Sequence, residues 1–430
     1  MKNVLVFPCG SEIGLELHRS LTFSAHFRLF GASSVPDHGR FVYARYREIA
    51  SMADDADFPE EFNAVLREMA IDYVMPAHDA AVVRLSELQE KKLLAAEAVV
   101  PGFEVAAICR SKQATYRLLG ERLSVPRVYH KSELDAAAYP LFGKPDVGQG
   151  SRGAELLPDA ESAREKLRRH PATVIMEYLP GPEYTVDCFT DGGGKLLFQS
   201  ARSRERVAGG ISVHSRHAGH PSLVAMARSI NGLLAMRGAW FFQVRENAAG
   251  EAVLLEVAPR IAGASGFQRA RGVNLPLLSL YDRMGLPLTI TPNALDDMEA
   301  DRSLGAAFRL NHSYDAVYID LDDTLLSFER DVNTDAVKFI FQCRNKGKRV
   351  VLITRHGESL EAVLEETRLA GIFDEVIHIR DGTPKADYIR EASAVFIDDS
   401  YAERSEVAAR LGIPVFDPSA LEALMDATGW

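Results

Sequence analysis

The chain has 430 residues, 47% of them hydrophobic, which is enough for several cores at roughly 150 residues per domain. Its formal net charge is −11 and nearly all of the excess lies beyond His312, so no basic patch points to nucleic acid. No stretch approaches the ~20 apolar residues that span a bilayer, MKNVLVF enters a strand rather than a signal peptide, and Cys9, Cys109, Cys188 and Cys343 form no Cys-x-x-Cys pair. The expectation is a soluble cytoplasmic protein with buried thiols, no thiolate zinc site, no membrane contact and small molecules as partners.

The first hundred residues alternate apolar runs with helical periodicity: NVLVF, a helix over about 12–18, FRLFGA, a helix over about 60–69, and a strand over 72–76. That alternation predicts an α/β domain over 1–106 whose parallel sheet is covered on both faces. Pro8 to Gly14 reads as a glycine turn entering a helix N-terminus, either an anion site or a plain tight turn. His78 and Asp79 follow a strand's carboxyl end, where they either face a cleft or cap the next helix.

Residues 107–295 carry a denser pattern. Ser111-Lys112 opens a helix, and LFGKPDVGQGSRG puts Lys144 at a strand end before Gly148, Gln149, Gly150, Ser151 and Gly153. Such a loop lets backbone N–H groups close over phosphates, while two lysines from separate elements add charge. VIMEYLPGPEYTVDCF predicts a strand reaching Glu177, Tyr178 and Leu179, a turn, and a second strand entered by Glu183. FFQV then carries Gln243, and LLEVAPRIAGASG places Glu256 on a strand just before Arg260.

In this order the motifs resemble the ATP-grasp superfamily over most of the region. The resemblance implies an α+β ATP-grasp domain, with the preceding parallel sheet as its companion, and ATP and Mg2+ as cofactors. It puts Lys112 and Lys144 on the nucleotide phosphates beneath the loop of Gly148, Gly150 and Ser151. Glu177 and the Leu179 backbone would meet the adenine edge and Glu183 the ribose hydroxyls. Glu256 and Gln243 would stand at the metal, and Arg260 would steady the transferred phosphate. One departure is plain: the family commonly reads E-x-N-P-R, and here Ala258 replaces the asparagine. Since Mg2+ accepts water as a ligand, the change either loosens a second metal or cripples the catalyst.

Within the same region Arg202, Arg204 and Arg206 stand at period two, on one face if the stretch is a strand. Stacked like charges are unfavourable without an anion between them, so these are candidates for gripping an acid substrate or the nucleotide tail, with a solvated edge strand as the alternative. Arg204 is set among the nucleotide-binding candidates. His214, His217 and His220 lack a helical pattern and are assigned no metal, and Gly209-Gly210 reads as a mobile turn. Asp296 to Arg302 is acidic, poor in apolar residues and preceded by Pro292, so 296–312 reads as a linker or a surface connection into the last domain.

The last region, 313–430, opens on VYIDLDDTLL, an apolar run delivering Asp320, Asp322 and Asp323 to a loop, and VFIDDS later repeats the arrangement with Asp398 and Asp399. Clustered carboxylates are costly unless a cation or a reaction uses them. Between them lie Thr354, ending VVLITR, and Lys385 after Thr383-Pro384. A hydroxyl and an ammonium are what a transferring phosphoryl group needs. These four motifs resemble the haloacid dehalogenase-like (HAD) hydrolases, with a Rossmann-like fold. The resemblance implies Asp320 as nucleophile, Asp322 as general acid and base, Thr354 and Lys385 on the phosphoryl oxygens, and Asp398, with Asp320 and Asp322, at Mg2+. Asp399 would be a helper. The intervals after Thr324 and after Thr354 are too short for an inserted cap. One helix over 358–369 and a strand over 375–379 occupy the second.

Together these readings describe a bifunctional enzyme. An ATP-dependent carboxylate–amine ligase would form an acyl phosphate and release ADP and phosphate, and the fused phosphatase would act on a phosphorylated substrate or ligation product. Two alternatives stand beside it: an ATP-grasp kinase, and an inactive ATP-grasp that senses nucleotide and regulates the phosphatase. The oligomeric state is open between monomer and homodimer.

Overall fold

The structure is a computed structural model that describes residues 1–148, 150, 152–303, 306–310, 312–357 and 359–425. The first domain is a parallel five-stranded sheet: β1 (Lys2–Phe7), β2 (Phe27–Ser33), β3 (Tyr46–Glu48), β4 (Tyr73–Pro76) and β5 (Glu97–Ala98), in the order β3-β2-β1-β4-β5. Its central strands are apolar runs because helices cover both faces, and Val4, Leu5 and Val6 are fully buried. The helix Glu12–Leu21 starts where Ser11 Oγ accepts the Gly14 N–H at 3.0 Å. Gly10 in that turn lies close to the Asp37 side chain, whose carboxyl carbon would be 2.0 Å from a Cβ there. The turn before this helix is therefore already faced by an acid, which favours the tight-turn reading over an anion site.

Two antiparallel sheets follow. One is small, with β6 (Leu141–Pro145) flanked by β7 (Glu155–Leu157) and β8 (Thr173–Glu177). The other has eight strands: β9 (Glu183–Thr190), β10 (Leu196–Ser203), β11 (Arg206–Ala208), β12 (Ile211–Ala218), β13 (Gly238–Glu246), β14 (Ala252–Ala258), β15 (Glu299–Arg302) and β16 (Ala306–Arg309). Their order is β14-β13-β9-β10-β12-β15-β16, with β11 on β12. The last domain is a second parallel sheet of β17 (Ala316–Ile319), β18 (Arg349–Thr354), β19 (Glu375–His378), β20 (Ala394–Ile397) and β21 (Val415–Phe416), ordered β19-β18-β17-β20-β21.

Several expectations are corrected here. Residues 296–312 do not form a free linker: β15 pairs with β12 and β16, so the polar EADR stretch extends the large sheet as edge structure. A domain boundary at 106/107 would cut the helix Phe103–Arg110. The helix following Thr354 is Leu360–Glu366, shorter than expected, and Glu358 lies outside the described residues. Among the described residues no helix is long and apolar enough to cross a membrane.

The last domain is packed onto the others by a shared core, in which Phe267, Ala270, Leu295 and Met298 join Leu321, Leu325 and Leu424. Arg269 crosses this junction. Its guanidinium donates to Glu16 Oε1 at 3.2 Å, to Glu422 and to the Ser419 carbonyl, and its side chain is 2% exposed. Truncating it would leave the buried Glu16 carboxylate only the distant Arg19 at 3.9 Å and the Ser20 hydroxyl at 3.3 Å, so Arg269→Ala is expected to cost about 3 kcal/mol in thermal or urea unfolding. Arg269→Met combined with Glu16→Leu should recover part of that loss, because neither charge is then stranded.

Candidate functional site

A cavity of about 380 Å³ opens between the small sheet and the edge of the large one at β9, β13 and β14. Lys112 is the first residue of the helix Lys112–Leu119, capped by Ser111 Oγ accepting from Ala114 N at 3.1 Å. Lys144 lies on β6 and reaches across to donate to the Leu255 carbonyl at 3.2 Å, next to Glu256 on β14. Lys112 Nζ donates to the Asp146 carbonyl at 3.1 Å. Burial lowers both ammonium pKa values, that of Lys144 to about 8, and the Glu256 carboxylate opposes the shift in each case. Both lysines thus present partly dehydrated charge to a cavity ready for an anion.

Glycine chemistry forms the cover. Gly150 and Gly210 both hold positive φ, +60° and +79°, and a Cβ on Gly210 would lie 2.3 Å from the Gly150 carbonyl carbon. Two turns therefore touch backbone to backbone above the cavity, a closeness only glycine permits. Arg204 Nη2 donates to the Gly210 carbonyl at 3.1 Å and Arg110 Nη1 to the Gly148 carbonyl at 3.1 Å, tying each turn to the frame. Gln149 and Ser151 lie outside the described residues.

The cavity floor has apolar Phe142, Met176 and Leu255 beside the backbone of Glu177 to Leu179. That suits a planar ring with a polar edge. Glu177 Oε1 accepts the Arg127 N–H at 3.0 Å, and Glu183 is paired with Arg204 at 2.6 Å. Gln243 bridges the two groups beside it: its amide nitrogen donates to Glu256 Oε1 at 3.1 Å and its oxygen accepts from Arg204 Nη1 at 3.1 Å. That oxygen, the atom a cation would need, is thereby engaged. Arg245 and Arg152 also line the cavity and were given no role from the sequence, although Arg152 stands inside the glycine-rich loop between Ser151 and Gly153.

Three expectations fail in detail. Arg202, Arg204 and Arg206 do not share a face for an anion. Arg202 is buried with its Nε 3.0 Å from Asp187, while Arg206, on β11, is exposed and paired to Asp301. Arg260 does not line the cavity. It makes a two-pronged pair with Asp79 at 2.6 and 2.7 Å, which joins the first domain to the second and assigns Asp79 more than a cap. His78 Nδ1 accepts the Ala80 N–H at 3.3 Å as the cap. Ala258 packs with Phe241 and Ala262, so the position of the usual asparagine is apolar.

A second constellation stands at the carboxyl edge of the last sheet. Asp320 follows β17, Asp398 and Asp399 follow β20, and each carboxylate offers an oxygen within 4.8 Å of the others. Lys385 Nζ bridges Asp320 Oδ1 at 2.7 Å and Asp398 Oδ2 at 2.6 Å. Burial, then the neighbouring Asp398, holds the Asp320 carboxyl well above its ordinary range. Burial also raises Asp398, and burial with Asp398 pushes Asp399 up to about 7. Three acids against one lysine leave a deficit of positive charge that a divalent cation would fill.

Thr354 ends β18 fully buried, and its Oγ1 accepts the His356 N–H at 3.1 Å. Asp322 is corrected as a carboxylate metal ligand. Its side chain is half exposed and turns to His356, whose Nδ1 lies 2.8 and 3.0 Å from the two oxygens; Asp399 completes the acidic trio instead. His356 has no role in the motif reading, although it stands two residues past Thr354 at the same strand end. Arg404, also unnoticed, donates to the Asp398 and Asp399 carbonyls at 2.6 and 2.7 Å and holds that loop.

With this geometry in view, residues 169–301 match the family described as ATP-grasp in the biosynthetic pathway with Ter operon. No curated protein matches the chain. Among solved structures, N5-carboxyaminoimidazole synthetase from Staphylococcus aureus, complexed with ADP, is similar with a TM-score of 0.59 at 14% identity, over 70% of this chain and 82% of that one. The biotin carboxylase domain of Hydrogenobacter thermophilus 2-oxoglutarate carboxylase, a dimer in complex with MgADP, ADP and bicarbonate, has a TM-score of 0.57 at 14% identity, over 70% and 74%. L-amino acid ligase from Bacillus licheniformis has a TM-score of 0.54 at 17% identity, over 70% and 79%. Over the part these similarities cover, the chain has an ATP-grasp fold.

Proposed function

We propose that the chain is an ATP-dependent carboxylate–amine ligase with a second site, a HAD-like phosphatase, on its last domain. The observation that carries the first half is the cavity in which Lys112, Lys144 and Glu256 converge beneath two touching glycine turns. Lys112 and Lys144 would hold the nucleotide phosphates, Phe142 and Met176 the base, and Glu256 a Mg2+ ion, which would neutralise phosphate charge there. The carboxylate substrate would attack the γ-phosphorus, forming an acyl phosphate and releasing ADP, and an amine would then displace phosphate. Closure of the Gly150 and Gly210 turns would keep water from that acyl phosphate. The related proteins that handle ADP and amino acids are consistent with this chemistry but do not name the acid or the amine.

At the second site Asp320 Oδ would attack the phosphorus of a monoester while the ester P–O bond breaks and Asp322 protonates the leaving oxygen. Water would then cleave the aspartyl phosphate as Asp322 takes its proton. The Asp320, Asp398 and Asp399 oxygens fit Mg2+, which would supply charge for the phosphoryl oxygens beside Thr354 and Lys385. His356 would keep Asp322 oriented toward the leaving group.

Incubating the protein with ATP, Mg2+ and panels of acids and amines tests the ligase. Products at the summed mass less one water, with one ADP each, are expected. ADP formed without any need for amine would make the chain a kinase instead. Two observations favour a second reading as nucleotide sensor: the apolar packing of Ala258 and the engagement of Arg260 by Asp79. Nucleotide binding with no ADP from any panel would decide for it.

Because burial lowers Lys144 to about 8, its ammonium form is lost as pH rises through that value. A polyanion attracts only that form, so binding should take up a proton above pH 8. ATP affinity measured by calorimetry should therefore fall between pH 8 and 9 by up to about tenfold, and Lys144→Arg should flatten the profile.

A further inference from the structure

Arg204 follows β10 directly, and its side chain, 7% exposed, lies among the elements that build the nucleotide cavity. Its backbone N–H donates to the Glu183 carbonyl at 2.8 Å, which fixes where the side chain starts. From there the guanidinium serves three places at once. Nε stands 2.6 Å from Glu183 Oε1 on β9, Nη1 donates to the Gln243 oxygen on β13 at 3.1 Å, and Nη2 donates to the Gly210 carbonyl at 3.1 Å. The Gln243 amide passes the link on to Glu256 on β14, also at 3.1 Å. A planar fork holds three partners at fixed angles, which an ammonium on a flexible stem does not.

Gly210 belongs to the tip of a hairpin. Gly209 and Gly210 join β11 to β12, with Ala208 opposite Ile211, and both glycines hold positive φ, +57° and +79°. Two such residues make the tight turn whose twist suits a hairpin. All three residues of β11 are exposed, and Arg206 among them pairs outward with Asp301. Little packing therefore anchors this end of the sheet, and weakly packed segments are the first to open locally. Among the described residues Arg204 is the one side chain hydrogen-bonded to the Gly209–Gly210 tip. Since that tip meets the Gly150 turn backbone to backbone, the place where Arg204 holds it decides whether the cover is shut.

Resting on the ligase reading above, we propose that Arg204 is a positioning residue rather than a phosphate ligand: it latches the Gly209–Gly210 tip over the cavity from an anchor set by Glu183 and Gln243. In the same reading those two residues stand at the ribose and metal ends of the site. A nucleotide that orders them orders Arg204, and through it the tip, so the cover closes on an occupied site. Beneath a loose cover the acyl phosphate would meet water. Attack on its acyl carbon returns the free carboxylate and inorganic phosphate, and ATP is then consumed with no amide formed. Arg204 touches neither nucleotide nor substrate in this role and acts through Gly210.

Amide hydrogen exchange of the full chain, read by mass spectrometry over residues 205–212 with and without Mg2+ and a saturating non-hydrolysable ATP analogue, tests the latch. In the wild type the analogue should slow exchange there about tenfold or more. Arg204→Lys should keep its affinity for the analogue within about tenfold by calorimetry yet lose most of that slowing. Glu183→Gln, which touches nothing at the tip, should lose it too, whereas Arg206→Ala, on the same hairpin but paired outward, should keep it. No slowing in the wild type, slowing that survives both Arg204→Lys and Glu183→Gln, or equal loss in Arg206→Ala would overturn the latch. So would an affinity that falls further in Arg204→Lys, as loss of a direct phosphate ligand would make it. A wild type that binds no nucleotide fails the ligase reading instead, and the latch is then judged in the free protein. Exchange over 205–212 at least about tenfold faster in Arg204→Lys than in the wild type supports it there, and equal exchange rejects it.

Discussion

Asp320→Asn should lower phosphomonoester hydrolysis by at least about a thousandfold while the protein stays folded, because the amide cannot serve as nucleophile but keeps the shape of the carboxylate. The substitution also removes a negative charge from a site where burial and Asp398 already raise the Asp320 carboxyl. Lys385 then retains Asp398 as its partner at 2.6 Å, so no buried ammonium is stranded. Unfolding temperature should therefore hold or rise. Steady-state hydrolysis of an aryl phosphate, paired with a melting curve, checks both halves. Residual activity within tenfold of the wild type would remove Asp320 from its role.

Lys144→Ala carries the other large effect. Lys144 Nζ sits between the Leu255 carbonyl and the Tyr116 ring, facing the cavity where the phosphates would lie, while the neighbouring Lys112 is held by the Asp146 carbonyl and Arg204 by Glu183. Removing a preorganised cation from a water-poor phosphoryl site costs on the order of 100–1,000-fold in turnover. ADP formation in a coupled assay should fall by that factor with hydrolysis of aryl phosphates untouched, since the second site lies on another domain.

What was legible in the sequence divides along physical lines. Strands such as Ala316–Ile319 and Ala394–Ile397 are buried on both faces, so they appear as unbroken apolar runs, and the acids that follow them announce the sheet edge. Glycine-rich turns and lysines at fixed spacing are likewise local. The strand Glu299–Arg302 was not legible because its side chains are polar and its identity comes from pairing with Ile211–Ala218, some ninety residues earlier. Arg202 looked like an anion ligand because its partner Asp187 lies on the adjacent strand and leaves no trace in local pattern. Arg260 met Asp79 from another domain for the same reason.

The most direct measurement is calorimetric titration of a non-hydrolysable ATP analogue with Mg2+ into the wild type, Lys144→Ala, Glu256→Gln and Asp320→Asn. The account expects one nucleotide per chain, bound by the wild type and by Asp320→Asn and weakened at least about tenfold in the other two. Binding that is absent from the wild type, or that persists unchanged without Lys144 and Glu256, would contradict it.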